Sequence, residues 1–307
     1  MLVSEPYDCV VVGAGPAGLS AALNLVRARR STLVLDSNRP RNAATLHAHG
    51  FLTRDGIPPL ELRRLGRDEV EGYPDGEVAS ARVERIVAVE DRFLVTSRGI
   101  RGESDREVLA RTVVLASGLT EELPALPSLR VYYGTHLHSC IECDGYEKKD
   151  ATLALIGESD DLAERALLLS QWSDDLIVFT NGVGRISGAE EAALAARGIR
   201  VERRPIADLA GDLGTMTGVR LADGEIIART AGFVRPRWVP ALDFAAELGF
   251  ARDADGLAVV DAQGRTSMPG IYAAGDSTPP GPQQLIVAAG AGATVAATIN
   301  RDLIGAL

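Results

Sequence analysis

The stretch Val10–Asp36, "VVVGAGPAGLSAALNLVRARRSTLVLD", decides the fold. A β-branched apolar run ends at Gly13, a helical periodicity begins at Pro16, and a second apolar strand, Ser31 to Leu35, ends at an acid. The glycines Gly13, Gly15 and Gly18 form G-x-G-x-x-G, and Asp36 follows the last of them by 18 positions. Each part has a mechanical reason. Gly13 permits a tight turn, Gly15 lets a pyrophosphate approach the backbone, and Gly18 lets helix and strand pack closely. Pro16 and Ala17 open the helix, whose N–H groups and positive dipole end face the phosphates. Asp36 is placed to accept hydrogen bonds from ribose hydroxyls. Strand, glycines, helix, strand and acid in register predict a dinucleotide site, without deciding between FAD and NAD.

A second stretch favours a flavin. "TSMPGIYAAGD" (266–276) reads as a buried strand ending on small residues, where a bulky ligand can lie against the backbone at Gly275. Asp276 can bond a polyol. The following "PPGPQQLIVAAGAGATVA" (279–296) starts a small-residue helix at Gln284 and Leu285, with N–H groups available to an anionic ring edge. "TVVLASG" (112–118) is another strand ending in small residues, Ser117 and Gly118 among them.

Length and composition set limits. The chain has 307 residues, 46% hydrophobic and 24% charged, which is ordinary globular composition. A net charge of −10 without a Lys/Arg cluster argues against nucleic acid. The apolar run Leu285 to Ile299 is too short to span a bilayer, and no targeting pattern precedes the first strand. A cytoplasmic protein without a membrane partner is expected.

Three cysteines do not make a secreted disulfide framework. Cys9 lies within the first strand and reads as core. Cys140 and Cys143 form C-x-x-C in "HLHSCIECDGYE" (136–147), which suggests redox chemistry or metal. On a turn entering a helix the pair can close a small disulfide ring, and the helix N-terminus would lower the first thiol's pKa. Asp144 sits beside it and could shuttle a proton. His136, His138, Cys140 and Cys143 also offer four zinc ligands, a weaker reading in a chain with no second C-x-x-C. We expect no metal. His47 and His49 fit solvent-facing positions and a place near a flavin equally well.

The remaining pattern predicts an α/β protein of two Rossmann-like, doubly wound domains. Residues 1–120 and 237–307 would form a discontinuous FAD domain. Residues 121–236 would form an inserted NAD(P)-type domain carrying the C-x-x-C, with connections near "EELPALPS" (121–128) and "VRPRWVP" (234–240).

In combination, "GAGPAG", "ASG" at 116–118, "CIECDG" and "PGIYAAGD" resemble the low-molecular-weight thioredoxin reductase family, in the family's order and over nearly the whole chain. The resemblance implies FAD and a homodimer with a mobile second domain. It places the ADP part of FAD on Gly13, Gly15, Gly18 and Asp36. Asp276 would contact the flavin side, and Gln284 with the helix start after it the isoalloxazine. It also makes Cys143 the flavin-proximal thiol, Cys140 the one that exchanges with substrate, and Asp144 the proton-shuttling acid.

One segment departs from the family. "LALIGESDDLAERALLLSQWSDDLIVFTNG" (153–182) keeps the strand–turn–helix–strand layout, but the turn is Gly157-Glu158-Ser159-Asp160-Asp161. The family's arginines after the next strand are replaced by Thr180-Asn181-Gly182, leaving Arg185 as the nearest cation. Two like charges ~4 Å apart repel by about 4 kcal/mol at an effective dielectric of ~20. NADPH binding is therefore doubtful. The erosion is similar to that of flavin-dependent dithiol oxidases, which hand electrons to oxygen, although members of that branch often have His where Asp144 stands. Other members of the wider family take electrons from a protein such as ferredoxin. The expected function is FAD-dependent thiol–disulfide exchange on a small dithiol or a protein disulfide, without NADPH. An NADPH-dependent thioredoxin reductase and a non-catalytic FAD-binding redox sensor are the alternatives.

Overall fold

A computed structural model describes residues 5–305. Residues 1–4, where the reading for a targeting pattern began, and 306–307 lie outside the described residues. The described chain divides into two compact units, one of residues up to 43, 50–120 and 238 onward, the other of residues 44–49 and 121–237.

The first unit is organised by strands that run on past their sheet. Tyr7–Val12 pairs in parallel with Thr32–Asp36 on one side and with Arg106–Leu115 on the other. The 14-residue strand Gly76–Val89 pairs through residues 76–80 with Thr32–Asp36, then through residues 81–89 antiparallel with Arg92–Gly99. Arg106–Leu115 closes this antiparallel layer and also takes Ile271–Ala273 on its far edge. The central strands are buried on both faces, so they read as continuous apolar runs rather than alternations. One face is covered by a cluster including Phe93, Leu242, Leu248 and Phe250. The other is covered by helices Pro16–Arg27 and Leu285–Ile304. Those two helices meet on small residues: a Cβ on Gly292 would lie 2.0 Å from the Ala17 carbonyl oxygen.

The second unit repeats the plan more economically. Five parallel strands lie in the order Arg200–Glu202, Leu176–Phe179, Leu153–Ile156, Ala231–Val234 and Leu137–His138. The three central ones, LIVF, LALI and AGFV, are buried throughout. Helices Leu162–Leu169 and Gly188–Ala195 follow the second and third of the series in the chain, the latter opened by a Ser187/Glu190 capping box. An antiparallel sheet of Ile206–Asp212, Thr215–Leu221 and Ile226–Ala228 completes the unit. Both units are thus three-layer α/β structures of Rossmann type. The segment Ala44–His49, read from sequence as loop in the first domain, groups with the second unit. Among the described residues no helix is long and apolar enough to cross a membrane.

Candidate functional site

A cavity of about 730 Å³ opens in the first unit where its parallel strands end, within the ~300–1,000 Å³ of ligand pockets. Val12, Leu35, Asp36, Ala116 and Ala274 mark those strand ends in its wall. The glycine loop forms one side. Gly13 has φ +105°, and a Cβ there would sit 2.4 Å from the Ala116 carbonyl oxygen, so only glycine makes this turn. A Cβ on Gly18 would lie 1.9 Å from the Gly13 carbonyl oxygen. Gly15 is different: nothing lies within 4 Å of its hypothetical Cβ, and it lines the cavity as the N-cap of Pro16–Arg27. Two glycines hold the loop together and the third leaves space beside a helix N-terminus. Those features suit a pyrophosphate.

Asp36 is held more firmly than its sequence position suggested. Its carboxylate accepts the backbone N–H groups of Ala14 (3.1 Å) and Asn38 (3.1 Å) and guanidinium hydrogens of Arg63 (2.5 Å) and Arg67. Arg63 is itself buried and also donates to the Ala14 carbonyl (3.2 Å) and Asn38 Oδ1 (3.1 Å). Burial pulls the Arg63 guanidinium below its ordinary pKa, against the opposing pull of Asp36. Sequence reasoning missed both arginines, although four-residue spacing puts them on one face of Pro59–Glu71. Asp36 is thus fixed by a cationic pair.

At the other end, Gly275 (φ +71°) and Asp276 follow the strand Ile271–Ala273. Asp276 accepts from Arg41 (2.8 Å) and from the Gln283 N–H (2.9 Å). Ser117 donates to the Ala241 carbonyl (2.7 Å), and the Gly118 N–H donates to Ser277 Oγ (2.8 Å). Gln283 and Leu285 line the cavity, while Gln284 is the N-cap of Leu285–Ile304. The small residues, open helix starts and polar groups fit a dinucleotide of FAD type.

In the second unit Cys140 and Cys143 are joined in a disulfide. The helix that follows Cys140 is a single turn, Ile141–Asp144, so it has little macrodipole to activate the first thiol, contrary to the expectation above. The local bond is instead the Cys143 N–H donating to Cys140 Sγ at 3.2 Å. Asp144 Oδ1 lies 3.0 Å from His138 Nδ1. His138 Nε2 lies 3.1 Å from the Thr135 carbonyl, which also accepts Lys148 Nζ at 2.6 Å. Burial lowers the Lys148 pKa, with Asp144 and Glu147 opposing. His138 faces a carboxylate, and the two sulfurs bond each other. His49 Nε2 lies 3.6 Å from Glu147, and His47 neighbours it at a 6.3 Å ring separation.

The degenerate turn is filled by the chain's own groups. Asp161 stands at the N-cap position of Leu162–Leu169 without a side-chain capping bond, pairs with Arg235 (2.8 Å) and accepts from Ser159 Oγ (2.6 Å). Glu158 accepts from Asn181 (2.7 Å), and Asp160 from the Arg185 backbone N–H (3.1 Å). A Cβ on Gly157 would meet Leu162 Cδ2 at 2.7 Å and Arg235 Cβ at 2.9 Å. Arg235, not Arg185, is the cation at this turn. It reduces the net repulsion estimated from sequence, yet it spends its charge on Asp161. All three carboxylates of the turn are engaged by groups of this chain.

A flavin-type dinucleotide cavity and a redox disulfide, each on its own Rossmann-type unit, define an FAD-dependent disulfide oxidoreductase. The chain belongs to the pyridine nucleotide-disulphide oxidoreductase family, whose sequence model matches residues 7–292. It is similar to the thioredoxin reductase sirT of Leptosphaeria maculans, 28% identical over 98% of this chain and 95% of that one. Among solved structures it is similar to TrxB of Bacillus anthracis, a thioredoxin reductase-type protein (38% identity, TM-score 0.90, 97% and 98% of the two chains). It is equally similar to HlmI (38% identity, TM-score 0.90, 98% and 93%). The protein is a thioredoxin reductase-like, FAD-dependent enzyme.

Proposed function

We propose that the enzyme exchanges electrons between a dithiol/disulfide substrate, the Cys140–Cys143 pair and FAD without NADPH, with oxygen or a protein as the other electron partner. The observation that carries this reading is the self-satisfied turn Gly157–Asp161, where Arg235, Ser159, Asn181 and the Arg185 N–H take up the carboxylates. A pyrophosphate arriving there meets the carboxylates of Glu158, Asp160 and Asp161. FAD would be held by Gly13, Gly15, Pro16, Ala17, Gly18, Asp36, Ser117, Gly118, Gly275, Asp276, Gln284 and Leu285, and when bound it supplies a two-electron store. In the oxidase direction a substrate thiolate attacks Cys140 Sγ, the Cys140–Cys143 bond breaks, and Cys143 leaves as thiolate. The second substrate thiol then displaces Cys140 and leaves as a cyclic or linear disulfide. Asp144, next to Cys143 in the chain, would pass a proton to the departing thiolate. The second reading, an NADPH-dependent thioredoxin reductase in the cytoplasm, is favoured by the names of the relatives alone. A homodimer is the assembly we expect.

The test is anaerobic addition of a small dithiol to flavin-loaded protein. Flavin bleaching that air reverses, lost in Cys143→Ser, supports the reading. An unchanged flavin in wild type, with thioredoxin turnover on NADPH, replaces it with the second.

A further inference from the structure

His138 lies outside the residues assigned to the exchange, yet its geometry ties it to them. Its ring is buried, with Phe233 packed beside it at a 6.3 Å centroid distance. Both ring nitrogens face oxygen. Nε2 meets the Thr135 carbonyl at 3.1 Å, and a carbonyl can only accept, so Nε2 carries a hydrogen. Nδ1 meets Asp144 Oδ1 at 3.0 Å. A bare Nδ1 against an ionised carboxylate would set two acceptors against each other in a buried place, which is costly. One further proton therefore belongs to the His138–Asp144 pair, on whichever member holds it.

We propose that His138 is a positioning residue that keeps this proton on the pair, whose Asp144 directly follows Cys143 in the chain, for delivery to the thiolate released when Cys140–Cys143 opens. The inference rests on the disulfide-exchange reading above. Substrate thiolate forms a bond to Cys140 Sγ, the Cys140–Cys143 bond breaks, and the electron pair leaves on Cys143 Sγ, which takes the proton of the pair. The second substrate thiol gives its proton back to the pair and attacks the substrate sulfur of the mixed disulfide. Cys140 leaves as thiolate and is protonated from solvent, which received the first substrate proton. The substrate is oxidised by two electrons and the cysteine pair is reduced by two.

Other charged and titratable groups surround the pair. Lys148 shares the Thr135 carbonyl with His138 and interacts with Asp144, and Glu147 opposes its loss of charge. His136 stands on the same short segment and is held toward its neutral form by burial, Lys148 and His138. Glu142 lies 4.0 Å from Cys140 Sγ.

His138→Asn keeps a donor toward Asp144 and removes the shared proton. The experiment is anaerobic single-turnover exchange of dithiothreitol with the flavin-loaded protein, followed by rapid alkylation and mass analysis across pH. An unaided aspartate loses its proton near pH ~4. The variant should therefore lose rate on the order of 100-fold at alkaline pH, with the variant-to-wild-type ratio recovering as pH falls toward ~4–5. Asp144→Asn should lose the same pH limb, and adding His138→Asn to it should cost little more. A wild-type profile in His138→Asn, or a loss equal at every pH as a packing defect gives, overturns the proposal. If the single variant does not fold, additive losses in the Asp144→Asn background overturn it equally. Failure of wild type to exchange with dithiothreitol would instead overturn the reading on which it rests.

Discussion

Two glycines three residues apart should fail in opposite ways when each receives one methyl group. In Gly18→Ala the new Cβ starts 1.9 Å from the Gly13 carbonyl oxygen, with Val11 Cγ1 at 3.2 Å behind it. The obstacle is backbone, so the helix Pro16–Arg27 must retreat by about 1 Å to reach even a tight contact. Overpacking of this kind costs about 1–3 kcal/mol. For a chain of this size that is a fall in Tm of roughly 2–6 °C in the flavin-free protein. In Gly15→Ala the same methyl meets nothing within 4 Å, and φ −80°, ψ 179° is a conformation alanine adopts freely. Apo stability should change by less than ~0.5 kcal/mol. The methyl instead occupies the cavity wall where the phosphates must reach the helix N-terminus. Losing that approach forfeits one or two charge-assisted hydrogen bonds of about 1.5–3 kcal/mol each, so FAD affinity should drop on the order of 100-fold. The assay is thermal unfolding of both apo variants beside FAD titration by flavin fluorescence. Wild-type FAD affinity in Gly15→Ala, or wild-type apo stability in Gly18→Ala, would refute the assignment of the loop.

Cys9 is fully buried, and burial raises its thiol pKa to about 12, so alkylation of the native protein should label no cysteine when oxidised and only Cys140 and Cys143 after reduction; native labelling of Cys9 would contradict the core packing. Arg63→Met should weaken FAD binding more than it weakens the apo fold, because it frees Asp36 from its buried partner; an equal loss in both would make the pair purely structural. Glu202 is held down to about 2, chiefly by its hydrogen bonds from Arg204. Its stabilisation is therefore complete above the unfolded carboxylate range and lost as pH falls toward 2. Glu202→Gln should cost on the order of 1 kcal/mol at neutral pH, since Arg204 is solvent-facing, and nothing near pH ~2; urea melts at the two pH values decide.

The parts legible in the sequence were those made by neighbours in the chain. Gly13, Gly15, Gly18 and Asp36 announce their roles because the turn, the close approach and the strand end are local geometry. Cys140 and Cys143 are three residues apart and bridge as spacing allows. What stayed hidden depends on contacts between distant residues. Arg63 is 27 positions from Asp36, and Arg235 is 74 from Asp161. No periodicity links those partners, so the first seemed an ordinary helix arginine and the second a linker residue. His138 was visible only as a member of H-x-H-x-C-x-x-C, which is one ligand set on paper. In the fold the imidazole turns to Asp144, and the sulfurs turn to each other.

The central claim is that electrons reach or leave the flavin through Cys140–Cys143 and not through the turn Gly157–Asp161. The direct measurement is flavin absorbance after rapid anaerobic mixing with NADPH, beside a parallel mixing with dithiothreitol. The account predicts that NADPH leaves the flavin oxidised while the dithiol bleaches it. Rapid bleaching by NADPH would contradict it.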